Sequence, residues 1–222
     1  FYMQSFTQYT PTEIVFGRGA QKEAGKLAKK WGGSRVLLVY GGGSIKRTGI
    51  YDQVMAQLAG MQVWELGGVQ PNPRLSLVRE GIALCREHGI ELVLAVGGGS
   101  AIDTAKAIAN GACYDGDVWD LFDGKGKNTE VLPLGTVVTI PAAGSEMSDS
   151  SVITREEDLC KRGRNTPLNF PKFSILNPEF TYTLPPFQTA CGAVDIMAHM
   201  MERYFTPVSY THLRAHETDS YL

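Results

Sequence analysis

Cysteine, net charge and long apolar segments are all scarce in this sequence, and each scarcity excludes a class of protein. The four cysteines stand far apart without C-x-x-C spacing, which excludes a disulfide framework and a zinc knuckle. A net charge of −2 offers no field for nucleic acid or anionic lipid. No apolar run reaches the roughly 20 residues of a membrane span, and residues 1–4 lack the pattern of a signal peptide. We therefore expect a cytoplasmic protein that binds neither nucleic acid nor a membrane.

Glycine is abundant, with 25 among 222 residues, several of them directly after apolar stretches. Apolar stretches alternate with segments of helical periodicity, which is typical of a parallel sheet covered by helices on both faces. The sequence therefore predicts the α/β class with a doubly wound, mostly parallel sheet. The expected strands are residues 13–16, 36–40, 61–66, 92–96 and 134–140, and the expected helices are residues 21–31, 51–58, 74–88 and 101–109. After residue 146 the pattern is irregular, until helical spacing resumes over residues 187–204.

Two glycine runs that follow expected strands are the main chemical signal. We call Gly41-Gly42-Gly43-Ser44 the first glycine turn and Gly97-Gly98-Gly99-Ser100 the second glycine turn. Glycines between a strand and a helix allow positive backbone dihedrals and close approach, and the helix directs free N–H groups at an anion. We expect a pyrophosphate there, with Asp103 near the ribose or the nicotinamide. The alternative is that the glycines only make tight turns, and neither run fits G-x-G-x-x-G, since Lys46 and Ile102 fill the last position.

The charges that follow the first glycine turn bear on the choice of nucleotide. NAD-selective sites usually place a carboxylate beside the ribose hydroxyls, and that carboxylate repels the additional phosphate of NADP. No Asp or Glu lies between residues 41 and 51, whereas Ser44, Lys46 and Arg47 supply a donor and two cations. We therefore expect NADP(H) to be preferred, with NAD(H) as the alternative cofactor. The alternative is that the two cations are only a solvated face.

A carboxylate and an imidazole stand four residues apart at Asp195 and His199, in an otherwise apolar helical segment. This spacing places both side chains on one helix face with about 6 Å of rise between them, where a metal could bridge them. An i,i+4 side-chain pair is the alternative. His212 and His216 have the same spacing, but they lack the Glu of a metalloprotease motif and a periodic apolar context. We assign no metal role to that second pair.

These motifs together resemble those of the iron-containing (group III) alcohol dehydrogenase family over residues 3–207. The second glycine turn continues into Asp103 and Lys106, and the series ends with Asp195-x-x-x-His199. Between them stand T-I-P-A-A-G-S-E at residues 139–146, N-P at residues 177–178 and T-L-P-P at residues 183–186. With the stretch at residues 40–54, the sequence is most similar to the branch of butanol dehydrogenases and NADPH-dependent aldehyde reductases.

The resemblance implies a dinucleotide-binding α/β domain, an all-helical domain after it, and an active site in the cleft between them. It assigns the pyrophosphate to the second glycine turn and the adenosine phosphate to the first, with Asp103 near the nicotinamide half. Asp195 and His199 correspond to the first two ligands of a divalent metal, Fe²⁺ or Zn²⁺. The residues that the resemblance assigns to cofactor binding are Gly41, Gly42, Ser44, Gly97, Gly98, Gly99, Ser100, Asp103, Thr139, Ser145, Lys161 and Tyr182.

The implied reaction is hydride transfer between NAD(P)(H) and a primary alcohol or aldehyde, with the metal as a Lewis acid on the substrate oxygen. The resemblance also implies a homodimer for the full-length protein. Two alternative enzymes share this plan, a glycerol dehydrogenase-type polyol dehydrogenase and a dehydroquinate synthase-like enzyme. A non-catalytic nucleotide-binding module is the alternative outside enzymology.

The resemblance also divides the chain into parts. Residues 1–184 are expected to form the dinucleotide-binding domain and residues 185–207 the first helix of a truncated helical domain. Residues 208–222 look unlike the family and resemble an artefactual read-through tail. Family members take two further histidine ligands from later helices, which this sequence does not include. We therefore expect this chain to bind metal poorly and to be inactive as it stands.

Overall fold

A computed structural model describes residues 9–205, apart from the side chain of Arg203, and shows eight strands and seven α-helices in that range. The strands are β1 (Glu13–Phe16), β2 (Arg35–Tyr40), β3 (Gln62–Leu66), β4 (Leu92–Gly97), β5 (Leu134–Val138), β6 (Ser150–Arg155), β7 (Cys160–Asn165) and β8 (Phe173–Leu176). The helices are α1 (Ala24–Lys30), α2 (Ser44–Arg47), α3 (Ile50–Gln57), α4 (Leu75–His88), α5 (Gly99–Ala112), α6 (Val118–Phe122) and α7 (Pro186–Phe205). The expected tail at residues 208–222, with His212 and His216, lies outside the described residues.

Six strands form one sheet in the order β1-β8-β5-β4-β2-β3, and each neighbouring pair is parallel. The central strands β2 and β4 are almost fully buried, as expected when helices cover both faces of a parallel sheet. One apolar core packs the sheet against α4, α5 and α6, and a second packs it against α1 and α3. The predicted doubly wound parallel sheet is confirmed.

The region after residue 146 is ordered into strands, so the expectation of irregular structure there is wrong. β6 and β7 form an antiparallel hairpin, and β8 enters the main sheet between β1 and β5. β7 has the sequence CKRGRN, which has no apolar alternation to predict a strand. Ile153 of β6 is buried in the apolar core, and polar contacts add to it: Arg164 Nη1 donates to Asn110 Oδ1 at 2.8 Å, and Asn169 Nδ2 donates to the Asp149 carbonyl at 2.7 Å.

Several elements also differ from the sequence-based expectation. The helix expected at residues 21–31 is a 3-10 helix, Ala20–Glu23, followed by α1. β5 ends at residue 138 instead of 140, and α6 was not expected. α7 confirms the helical spacing of residues 187–204. None of the described helices is both long enough and apolar enough to cross a membrane.

Candidate cofactor and metal site

The two glycine turns leave neighbouring strands at the same edge of the sheet. β2 and β4 pair in register, with Tyr40 opposite Val96, so the first and second glycine turns begin side by side. The strand order reverses at this point, because β3 lies on one side of β2 and β4 on the other. In open α/β sheets, ligands bind outside the carboxyl ends of the strands where the order reverses. The fold therefore places both turns where a nucleotide is expected.

The glycines of these turns let the backbone come close to its neighbours or to a ligand, and they do not adopt an unusual backbone conformation. None of the six glycines uses the positive φ that glycine allows, and Gly98 has φ −95°. A Cβ at Gly97 would lie 2.8 Å from the Cβ of Ala101, so β4 and α5 meet at a separation that favours glycine. A Cβ at Gly99 would meet nothing within 4 Å, which leaves that position open to a ligand.

α5 begins at the second glycine turn, and no side chain of the described residues caps it. The first N–H groups of a helix have no acceptor within the helix, and they carry the positive end of its dipole. The N–H groups of Ala101 and Ile102 already bond back to the Gly98 carbonyl at 3.1 and 3.2 Å, which closes the first turn. The donors ahead of them, on Gly99 and Ser100, are of the kind that a phosphate requires.

Asp103 connects α5 to the two segments that follow β5. Ser145 Oγ donates to Asp103 Oδ1 at 2.6 Å, and the N–H of Val152 donates to Oδ2 at 3.0 Å. The Thr139 N–H in turn donates to the Gly97 carbonyl at 3.0 Å, so this segment lies against the second glycine turn. The structure thus brings Asp103, Thr139 and Ser145 together beside that turn, as the resemblance implies.

Lys106 is fully buried beneath these residues, with 0% of its surface exposed. Its ammonium donates to the carbonyls of Ser145, Ser148 and Ser150 at 2.7, 2.9 and 2.7 Å, and Ser145 Oγ lies 3.0 Å away. Burial lowers the pKa of Lys106 to about 8, and the nearby carboxylate of Asp103 opposes that shift. The sequence shows Lys106 only as part of a motif, because its acceptors lie 39 to 44 residues away along the chain.

A carboxylate also accompanies the first glycine turn, although the turn's own sequence has none. Glu65 of β3 accepts hydrogen bonds from Tyr40 Oη at 2.7 Å and Tyr51 Oη at 2.5 Å, and Lys46 Nζ lies 3.5 Å from its Oε2. The hydrogen bond from Tyr51, with those from its other partners, lowers the pKa of Glu65 below its ordinary value. Sequence reasoning missed Glu65 because it searched residues 41–51 alone. The available signal was that β2 and β3 end at one edge.

α7 turns its polar face toward the sheet domain. Leaving aside Arg203, whose side chain is not described, the residues of α7 are exposed except for three. Gly192, Asp195 and His199 are partly buried. A Cβ at Gly192 would lie 3.2 Å from the Pro141 carbonyl, so this face approaches the segment after β5. Asp195 and His199 follow Gly192 by three and seven residues, so they lie on the same face of α7 as Gly192. This is the face that approaches the segment after β5.

The donor atoms of this pair fit part of a metal site. His199 Nε2 lies 3.7 Å from Asp195 Oδ1, longer than a hydrogen bond, so the two side chains face each other without closing a bond. A carboxylate and an imidazole are suitable ligands for Fe²⁺ or Zn²⁺, but a divalent metal commonly takes four. No group of three or more such side chains occurs within residues 9–205. The described chain thus supplies half of a usual ligand set.

Lys161 and Tyr182 lie on elements other than the two glycine turns. Lys161 stands on β7 opposite Thr154, in the hairpin. Tyr182 follows the 3-10 helix Pro178–Thr181 and is 69% exposed. Their assignment to the cofactor stays a prediction that rests on the resemblance.

Comparison with known proteins shows which family has this arrangement. The family model for iron-containing alcohol dehydrogenases matches residues 11–178. The chain is 54% identical to a probable NADH-dependent butanol dehydrogenase 1 of Bacillus subtilis, covering 94% of this chain and 54% of that protein. It is 42% identical to an NADPH-dependent aldehyde reductase of Escherichia coli, covering 92% of this chain and 53% of that protein.

A solved structure shows the same fold. It is the NADH-dependent butanol dehydrogenase A of Thermotoga maritima, which is 44% identical and superimposes with a TM-score of 0.88. The match covers 95% of this chain and 54% of that one, so the chain spans about half the length of the relatives it matches. The predicted resemblance is confirmed: this chain belongs to the iron-containing alcohol dehydrogenase family.

Proposed function

We propose that this chain is the nucleotide-binding part of an enzyme that transfers a hydride between NAD(P)(H) and a primary alcohol or aldehyde. One observation carries the proposal: the face of α7 that bears Asp195 and His199 meets the segment after β5 at Pro141. One residue earlier, Ile140 borders the second glycine turn, with its Cβ 3.4 Å from where a Cβ of Gly98 would stand. A phosphate on the turn and a metal on the helix would thus lie on the same side of the sheet.

In this proposal the chain's own residues bind and orient, and they do not take part in bond making. The N–H groups of the second glycine turn would hold the pyrophosphate. Asp103 and Lys106 fix Ser145 from two sides, which positions the segment that would line the nicotinamide end. Asp195 and His199 would hold the metal. When bound, the nicotinamide would supply hydride chemistry and the metal a Lewis acid at the substrate oxygen.

We propose NADP(H) as the preferred cofactor, with NAD(H) also accepted. The support is the pair of cations after the first glycine turn, Lys46 and Arg47, which favour a 2′-phosphate. The names of the relatives mention both nucleotides, NADH in the Bacillus protein and NADPH in the Escherichia coli protein. The names of the relatives therefore do not decide between the nucleotides, and the proposed preference rests on the positive charges of Lys46 and Arg47.

We also propose the expected division of the chain, with a nucleotide-binding domain at residues 1–184 and the start of a helical domain at residues 185–207. α7 exposes large apolar side chains on the face that points away from the sheet. Such a face is typical of a helix that packs against further protein. The most exposed of them are Phe187, Val194, Met200, Tyr204 and Phe205. A homodimer of the full-length protein belongs to the same proposal.

Isothermal titration of the chain with NADPH, NADH and ATP tests the nucleotide site, with Gly99→Val as the decisive variant. A Cβ at this position would meet no protein atom within 4 Å, so the variant is expected to fold normally. It would occupy space that the phosphate needs, and we expect the Kd for NADPH to rise about tenfold or more, a loss of about 1.4 kcal/mol.

Gly163→Val on β7 is the matched control, because its nearest contact would be Val152 at 3.8 Å, away from the turn. Its affinity for NADPH should equal that of the wild type. ATP binding as tightly as NADPH would instead favour the plain nucleotide-binding module. Equal NADPH affinity in the Gly99 variant would contradict the proposed site.

The metal proposal has a separate kinetic test. We expect no measurable NADPH oxidation when the chain is mixed with butyraldehyde and Fe²⁺ or Zn²⁺, because the described residues provide two ligands of the usual four. Absorbance at 340 nm follows the reaction, and a full-length relative serves as the positive control. Robust turnover by this chain would show that the missing-ligand argument is wrong.

A further inference from the structure

The two cations that follow the first glycine turn stand in different electrostatic surroundings. Lys46 Nζ lies 3.5 Å from Glu65 Oε2, and it also stands over the rings of Tyr40 and Tyr51 at 5.2 and 4.6 Å. Aromatic faces attract a cation, and here they add to the attraction of the carboxylate. Lys46 is therefore held in place by a counter-charge and two rings.

Arg47 points to the turn itself. A Cβ at Gly43 would lie 3.3 Å from Arg47 Nη1, so the guanidinium lies against the backbone of the first glycine turn. Arg47 has no ion pair with any carboxylate in the described part of the chain. The positive charge that a phosphate would meet at this turn comes mainly from Arg47, because Glu65 offsets that of Lys46.

Glu65 is itself firmly positioned at the sheet edge. Both of its oxygens accept a tyrosine hydroxyl, and one of those tyrosines, Tyr40, is the last residue of β2 before the turn. Gly67 packs against the Tyr40 ring, where a Cβ would lie 2.8 Å from ring carbon Cε2. The carboxylate is therefore a fixed part of the turn's surroundings and not a mobile surface group.

We propose that Glu65 is a specificity-determining residue that lowers the preference of the first glycine turn for NADP(H) over NAD(H). This inference rests on the proposed nucleotide function. Glu65 acts through Lys46: by balancing that ammonium, it removes part of the attraction for a 2′-phosphate while leaving a ribose hydroxyl unaffected. Arg47 supplies the remaining attraction for the phosphate.

Titration calorimetry with NADPH and NADH tests this role on the whole chain. Glu65→Gln removes the charge while its amide oxygen still accepts from one tyrosine hydroxyl and its NH2 group can donate to the other. NADPH should bind more tightly and NADH should be unchanged, so we expect the ratio of the NADH Kd to the NADPH Kd to rise about fivefold. This is the size of effect expected from one unit charge that acts, partly screened, within one Debye length. The rise should vanish in the double variant Glu65→Gln/Lys46→Met, because the freed ammonium is then absent.

A comparison in the wild-type background keeps the inference testable if Glu65→Gln does not fold. Arg47→Met should lower NADPH affinity more than Lys46→Met does, with NADH affinity unchanged in both. The ratio staying constant in Glu65→Gln, or equal NADPH losses in the two cation variants, would overturn the role of Glu65. Absence of binding of either nucleotide to the wild type would overturn the proposed function itself, and the role of Glu65 with it.

Discussion

Replacing Lys106 by methionine should destabilise the chain by about 3–5 kcal/mol, the cost typical of removing one partner from a buried charged network. Met has nearly the same length but no donor, so the carbonyls of Ser145, Ser148 and Ser150 would stay buried without their hydrogen bonds. Asp103 would also lose its neighbouring positive charge. Urea unfolding at pH 7, followed by circular dichroism, measures the loss.

The pH dependence of the wild type separates the charge of Lys106 from its packing. The pKa of Lys106 is lowered to about 8, whereas an unfolded lysine has its ordinary value of 10.5. Between these values the unfolded state binds more protons than the folded state, so the free energy of unfolding receives a contribution that rises with pH. Lys106→Met lacks this contribution. The difference in the free energy of unfolding between the wild type and Lys106→Met should therefore grow from pH 8 to pH 10.

Lys26→Met provides the control, since the Lys26 side chain is 80% exposed and pairs with Glu23 at the surface. Its free energy of unfolding should change by no more than about 0.5 kcal/mol. An equally small effect in Lys106→Met would show that the ammonium does not hold the segment around Ser145, and the positioning of that segment would need another explanation.

Replacing Gly135 by alanine should cost about 3 kcal/mol, at the upper end of what overpacking a core usually costs. A Cβ at Gly135 would lie 2.1 Å from Phe173 Cζ, within the ring that β8 places across the neighbouring strand. Phe173 is fully buried, so its ring has no free space to move into. Thermal and urea unfolding both report the change.

A double variant identifies the cause of that loss. Phe173→Leu shortens the ring that the new methyl group would strike, so Gly135→Ala/Phe173→Leu should be more stable than the sum of the single losses predicts. Gly163→Ala is the matched control in an open part of a strand, where the nearest atom would be 3.8 Å away. Strictly additive losses would show that contact with Phe173 is not the source of the strain.

The central part of the fold could be predicted because its signals are local. β2 and β4 are continuous apolar runs that end in glycine, and both were expected within one residue of their actual bounds. The hairpin was missed for the opposite reason, because β7 has the sequence CKRGRN and no apolar alternation. β8, with the sequence FSIL, was missed as well. A contact with Asn110, 54 residues from Arg164, and contacts with the nearby Asn169 stabilise the hairpin.

The candidate site could be predicted to the level of its motifs. The two glycine turns, Asp103 and the pair Asp195 and His199 are visible as spacing or as resemblance. What each residue touches depends on the sheet order, which brings Glu65 to Lys46 and Ser145 to Asp103. The orientation of α7 also escaped prediction from periodicity, because both its polar and its apolar faces recur at helical spacing.

The ordinary backbone angles of the two glycine turns separate nucleotide choice from foldability. Positions such as Gly42 and Gly99 have room for a side chain and no conformational need for glycine. Substitution at these positions is therefore expected to leave the scaffold intact. A variant there that fails to retain a ligand would report on the ligand's own contacts and not on a collapsed protein.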